Sequence, residues 1–313
     1  MARTDALSIT TNGTTADSLE ESYGKVIDAI QKGALSEKLK NTDYSGDPTT
    51  GSVEINRFKN AQSNDYGTAR AAGQGSALVN SGKVTVNIDT DKEIVEEIEG
   101  KDVKLFGVEG IIAKRRGNHS LRAIATLDNA YFATLESEGS AVTLPEGVTD
   151  IEDVVETMIQ AIETTQNDWV DGVDRSMIAL TLKPNAYGKL RNYIDKVSVP
   201  TVDSGVEEIE MFHGVRVFSN VRQTKAIIAT IFGSAGQPAM FNQYEDEKIN
   251  LSNAHAVELF YSYGSKAVTP DLIKTLAELP TPQATETASE TPASGETPTG
   301  GETPTGGDTN GQS

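Results

Sequence analysis

The residues of this chain that could do chemistry are few and widely separated. His119, His213 and His255 are its three histidines, and none stands in a metal-ligand spacing such as His-Glu-x-x-His. Each is therefore read as structural. Asp168-Trp169-Val170-Asp171-Gly172-Val173-Asp174 spaces its carboxylates by three, whereas a calcium loop spaces them by two and closes with a glutamate at its twelfth position. It reads as a capped surface turn. Gly73-Gln74-Gly75 lacks the third glycine and the leading buried strand of a dinucleotide fingerprint. Gly233-Ser234-Ala235-Gly236 follows a strand-like run but lacks the Gly-Lys-Ser/Thr that cradles phosphate. Arg115-Arg116 reads as a solvated or intersubunit face rather than a nucleic-acid site, and the carboxylate-rich run from Glu93 to Glu99 as the wet face of a helix. With no cysteine, disulfides, thiolate catalysis and thiolate metal sites are excluded. Nothing assembles into an active site. The expectation is a protein that is not an enzyme, with no catalytic residue, cofactor or metal.

Bulk composition narrows the class further. At 313 residues the chain can form one large domain or two smaller ones. A formal charge of −19 argues against holding nucleic acid by neutralising phosphates. An acidic wall could still enclose packed DNA without gripping it, although acidity that simply keeps the protein soluble is the plainer reading. The start, Met1-Ala2-Arg3-Thr4-Asp5, has no apolar core for a signal peptide. Apolar runs such as Ala226-Ile227-Ile228-Ala229 are far too short to span a bilayer. The expectation is a soluble, cytoplasmically made protein with no membrane partner.

The element that organises the chain is Gly51 to Ile98, which reads as one long β-hairpin. Ser52-Val53-Glu54-Ile55-Asn56-Arg57-Phe58 alternates apolar and polar residues, and in Lys83-Val84-Thr85-Val86-Asn87-Ile88-Asp89 the alternation puts Val84, Val86 and Ile88 on one face. About 24 residues separate the arms, far more than a usual hairpin connection. A two-stranded ribbon buries no core of its own and is marginal alone in water. It must lie on another surface, and an arm that needs a partner surface marks an assembly protein.

The remaining elements follow in order. Ser18 with Glu21 forms a capping box before Leu19, Tyr23, Val26, Ile27 and Ile30 at helical spacing. A short turn is expected through Leu35 to Leu39. From about Asp102 to Ser137 a helical pattern runs for on the order of 50 Å at 1.5 Å per residue, with a kink expected at Gly117-Asn118. Thr149 with Glu152 forms a second capping box ahead of Ile151, Val154, Val155, Met158, Ile159 and Ile162, the clearest amphipathic helix of the chain. Met177 to Leu182 reads as a buried strand, Pro184 opens a helix carrying Tyr187, Leu190 and Tyr193, and Met211 to Phe218 reads as a strand with a turn or bulge at Gly214. Ala226 to Phe232 is another buried strand, and Val257, Leu259, Tyr261 and Tyr263 alternate in a late one. Lys266 to Pro270 then ends the folded part. From residue 281 onward Glu290, Glu296, Glu302 and Asp308 recur every six residues among Thr, Pro and Gly, a composition that reads as a disordered tail.

This order of parts resembles the major capsid protein family of tailed bacteriophages, which has the Hong Kong 97-like fold. The resemblance rests on the hairpin strings Asn56-Arg57-Phe58-Lys59-Asn60-Ala61 and Val84-Thr85-Val86-Asn87-Ile88-Asp89-Thr90-Asp91-Lys92. Leu180-Thr181-Leu182-Lys183-Pro184-Asn185-Ala186-Tyr187-Gly188-Lys189-Leu190 looks like the family's axial strand-to-helix step, and Tyr263-Gly264-Ser265-Lys266-Ala267-Val268-Thr269-Pro270-Asp271 like its ending. It implies an α+β fold: an N-terminal arm over 1–45, the hairpin called the E-loop over 46–100, and a peripheral domain on a spine helix over 101–140. An axial α/β domain over 141–250 and a return to the peripheral domain over 251–280 complete it, before the tail at 281–313.

The resemblance also implies a function: a structural protein of the virion that self-assembles, in hexamers and pentamers, into an icosahedral head shell around double-stranded DNA. That DNA is bound without sequence specificity. No scaffolding segment precedes the arm, so a separate scaffolding protein and a portal are the expected partners, with assembly in the host cytoplasm. Arg57, Phe58, Lys59, Arg70 and Lys83 are the interface candidates on the hairpin, the cations meeting acidic neighbours. Two other readings stand beside it. One is an encapsulin-like compartment with protein cargo; the other is a cell-surface or tail-fibre adhesin on a Thr/Pro stalk.

Overall fold

Ile178-Ala179-Leu180-Thr181-Leu182 holds a single polar side chain, and all five residues are buried as strand β5 (Ile178–Leu182). A strand buried on both faces must have a layer above it and another below. Those layers are visible in the computed structural model, which describes residues 14–61, 63, 65–66, 82–197, 209–242, 245–250 and 252–280. Ile178, Leu180 and Leu182 cluster with Val154, Val155, Met158, Ile159 and Ile162 of helix α4 (Ile151–Glu163) and with Ala186 and Leu190 of helix α5 (Pro184–Val197). The opposite face presents Ala179, with Ile228 from the next strand, to Tyr131, Phe132 and Leu135. These three come from the long helix α3 (Gly100–Glu138).

Strand β5 lies inside a six-stranded sheet. Its neighbours are β8 (Ile227–Ile231), antiparallel, and β7 (Val215–Ser219), parallel; β6 (Met211–Phe212) pairs antiparallel with β7. On the other side β8 meets β14 (Lys274–Leu276), which in turn pairs in parallel with β4 (Ser140–Ala141). Between β6 and β7, His213 and Gly214 have φ of 47° and 85°, so the expected turn is a tight hairpin with two successive left-handed residues. Helix α4 starts differently from expectation. Its N-cap is Asp150, no side chain caps it, and Glu152 and Asp153 instead place negative charge at the positive end of the helix dipole.

A second sheet is centred on β12 (His255–Tyr263). One edge pairs along all nine residues with β3 (Thr90–Ile98); the other is shared by β11 (Glu245–Lys248) and β10 (Ala239–Phe241). The run from Glu93 to Glu99 is thus mostly strand and not the helix face expected. Its burial alternates, with Ile94, Glu96 and Ile98 turned inward and Glu93, Val95 and Glu97 outward. This sheet packs on helix α1 (Thr14–Gly33) and on the middle of α3 through Val26, Ile30, Ala123, Ile124, Leu127, Val257, Leu259 and Tyr261. Ser18 lies inside α1, so it is not the cap it was expected to be.

Helix α3 joins the two layers, its middle on the second sheet and its C-terminal turns on the first. Its 39 residues are helical without a break through Gly117-Asn118, the place where a kink was expected. Buried Asp128 on α3 accepts from the backbone N–H of Ser36 at 2.9 Å, which fixes the start of the short helix α2 (Leu35–Leu39).

Two expected boundaries move. The folded part does not end at Pro270: a 3-10 turn over Pro270–Leu272 leads into β14, which inserts between β4 and β8 with Ile273 and Leu276 buried. Residues 270–276 therefore return to the six-stranded sheet, not to the peripheral layer. Conversely β10 and β11, expected in the axial part, join β12. The cause is pairing between segments distant in sequence, which local periodicity does not encode. Residues 281–313 lie outside the described residues, as do 1–13 and 67–81.

Candidate assembly interface

The hairpin begins after a 3-10 turn, Pro48–Thr50, whose N-terminal Asp47 accepts from the Thr49 N–H. Gly51, at φ 85°, turns the chain into β1 (Ser52–Arg57). Strand β1 pairs antiparallel with β2 (Gly82–Asn87), from Ser52 opposite Asn87 to Arg57 opposite Gly82. Val53, Ile55 and Val86 turn inward and bury against Val268, with Tyr44 and Val84 at the margin. The root of the hairpin is thus covered by its own subunit. The approach is close enough to require glycine at Gly264, where a Cβ would run into the Asn87 backbone carbonyl, while a Cβ on Gly236 would push against the Ile55 side-chain end. Beyond the last rung the character changes, with Phe58 67% and Tyr66 95% exposed.

Three of the four candidate cations have partners within the chain. Arg57 donates through Nη2 to both carboxylate oxygens of Asp271 at 2.6 Å, with the two side chains 15% and 23% exposed. Asn167 donates to the same carboxylate at 2.8 Å. Burial pushes the Asp271 carboxyl up, and the bonds from Asn167 and Arg57 outweigh it, so the net direction is down. Lys59 reaches Asp168 at 2.9 Å, and Lys83 reaches Glu54 across the ribbon at 2.7 Å, both pairs in solvent. Arg70 lies outside the described residues. Arg57 thus pairs with a carboxylate of its own chain 214 positions away in sequence.

The sequence reading missed Trp169. Its ring lies 4.8 Å from the Arg57 guanidinium carbon and 5.3 Å from the Lys59 ammonium, both within cation–π range. The Asp168–Asp174 turn, read only as a surface turn, presents this ring to the hairpin. Asn167 Oδ1 holds the turn by accepting from the N–H groups of Trp169 and Val170 at 2.8 and 3.0 Å.

Two further charged clusters fix the frame. At one end of the six-stranded sheet Arg175 binds Glu156 and Glu163 of α4, and His213 Nδ1 lies 3.0 Å from Glu156 Oε2. The Arg175 guanidinium holds the Glu156 carboxyl down to about 2. On the second sheet Glu96 of β3 binds Arg115, and His119 Nε2 lies 3.1 Å from it on α3. Arg115 drives the Glu96 carboxyl below its ordinary value. Arg115 is exposed, in keeping with the solvated face expected, and pairs there with Glu96 of its own chain. Neither cluster pairs a nucleophile with a base. Among the described residues no group of three His, Cys, Asp or Glu could hold a metal, and no helix is long and apolar enough to cross a membrane. What the arrangement offers is surface: a rigid frame with a ribbon that leaves it.

No protein-family model matches the chain, and no curated protein matches it. Solved structures do. A structure of the mycobacterium phage Che8 is 16% identical at a TM-score of 0.53, covering 72% of this chain and 84% of the other. The capsid of the cyanophage P-SCSP1u is 13% identical at 0.51, covering 78% and 88%. A virus-like particle from Pyrococcus furiosus is 14% identical at 0.51, covering 82% and 98%. At such identities the likeness is one of fold, and the chain has the α+β, Hong Kong 97-like fold of phage capsid proteins.

Proposed function

We propose that this chain is the major capsid protein of a tailed bacteriophage, closing in hexamers and pentamers into an icosahedral shell around double-stranded DNA. The likeness to phage capsid structures over nearly their whole length, 84% and 88% of the other chains, carries this reading. The mechanism is geometric. The root of the hairpin is held by its own subunit, and the segment beyond Arg57 lies over a neighbour, burying Phe58 and Tyr66. Arg70, and Lys59 and Lys83 by exchanging their exposed partners, set register with acidic neighbours more than they add affinity. A net charge of −19 makes an inner wall that contains DNA without holding it. A separate scaffolding protein and a portal complete the head, which assembles in the host cytoplasm.

Electron microscopy of the recombinant full chain tests this, alone and with the neighbouring viral genes. Closed polyhedral shells, sheets or rings of six are the expected result. A chain that stays monomeric at high concentration in both settings contradicts it. A second reading is favoured by one observation, the 98% coverage of the Pyrococcus furiosus virus-like particle chain. In it the shell is an encapsulin-like compartment with protein cargo. Nucleic acid inside purified natural particles separates the two.

A further inference from the structure

Trp169 is the only tryptophan of the chain, and it belongs to none of the apolar clusters that form the core. It is half-buried against the outermost rung of the hairpin ladder, where Arg57 faces Gly82. Both members of that rung meet the same indole. Arg57 lies over the ring at 4.8 Å, and a Cβ on Gly82 would be 3.0 Å from the ring's Cη2. A side chain at Gly82 would press on the indole, which would have to give by a few tenths of an ångström. Lys59, just past the rung, lies over the ring as well and pairs with Asp168, while the Asn60 N–H donates to the Asp168 carbonyl at 3.0 Å. Behind the rung, the Asp271 carboxylate accepts from the Arg57 guanidinium and from Asn167 Nδ2.

We propose that Trp169 is a positioning residue for assembly: set between Arg57 and Gly82, it fixes the direction in which the chain leaves the last rung, at residues 58–61, before any neighbour is met. The inference deepens the capsid reading and rests on it for its role in assembly. The physical reason is preorganisation. A two-stranded ribbon has no core to stiffen it, and a swinging ribbon loses conformational freedom each time it docks. A ring that grips the last rung removes that freedom in advance, through a turn belonging to the α/β layer and not to the hairpin itself.

The test compares full-length wild type with W169A, W169Y and G82V. Trp169 is outside the core, so W169A keeps the circular dichroism and melting of the wild-type subunit. Two readouts follow that a merely structural role would not move. In the isolated subunit, limited proteolysis within 58–81 becomes at least about tenfold faster in W169A and in G82V, and W169Y, which keeps an aromatic face for both cations, restores the slow rate. In assembly, the yield of uniform shells falls at least about tenfold in W169A and recovers in W169Y. Equal proteolysis of wild type and W169A overturns the clamp. Shells of equal yield and size from W169A overturn its role in assembly. Wild type that forms no shells while W169A is still cut faster keeps the clamp and counts against the capsid reading instead.

Discussion

Strand β5 is a near-continuous apolar run and the β1–β2 ribbon alternates apolar and polar residues, and their surroundings differ accordingly. Every residue of β5 is buried, with α4 and α5 on one face and α3 on the other. The ribbon buries apolar side chains where Val53, Ile55 and Val86 meet Val268, and its last rung lies against Trp169. Past Arg57, among the described residues, Phe58 and Tyr66 are exposed. The first region spends its hydrophobic surface inside the subunit and gives stability. In the proposed capsid reading the second keeps part of its surface for another chain. The border between the two uses is the last rung, where Arg57, Asp271 and Trp169 meet.

Substitutions on the two sides of that border should separate folding from assembly. The largest effect belongs to β5. Leu180→Ala removes a fully buried side chain and leaves a cavity in a packed layer, costing about 2–5 kcal/mol in denaturant unfolding of the subunit. At the border the effect is smaller and mixed. Arg57→Glu sets a carboxylate against half-buried Asp271 and costs about 1–3 kcal/mol by the same measurement. Lys59→Glu, in solvent, stays within about 0.5 kcal/mol.

The smallest effect is one of pH. Glu156 is held down to about 2 from an ordinary 4.5, first of all by Arg175. A depressed carboxyl contributes stability that is fully present above the unfolded value and is lost as pH falls through the folded one. The wild type should therefore exceed E156Q in thermal stability above about pH 4.5, and the gap should close as pH falls towards about 2. The pair is partly solvated, so the gap is modest. A gap that is constant with pH contradicts the assignment.

Much of the frame was legible because it is local. The 3.6-residue spacing of Val154, Val155, Met158, Ile159 and Ile162 marked α4, the period of two at Val257, Leu259, Tyr261 and Tyr263 marked β12, and the hairpin arms were read within a residue or two. What was missed is non-local or mixed. In β3 the glutamates at 93, 96 and 97 mask the alternation of Ile94 and Ile98, because inward-facing Glu96 is stabilised by Arg115 and not by apolar contact. The place of β14 depends on pairing with Ile227–Ala229, far upstream in the chain. Nothing near Asp271 announces Arg57, and nothing in the Asp168–Asp174 turn announces that its tryptophan faces a ribbon. The same gap affects the hairpin's boundaries. Residues 46–100 include β3 and the buried root, so removing all of them would strip a strand from β12 and unfold the subunit.

The direct test of the border is therefore a smaller change: residues 58–81 replaced by a short glycine-containing turn. Denaturant unfolding and negative-stain microscopy are then measured side by side with the full chain. The account predicts a subunit as stable as the original, because the Val53, Ile55, Val86 and Val268 cluster is untouched, and no closed shells. Closed shells of normal size from the shortened chain, or a subunit that no longer folds, would contradict it.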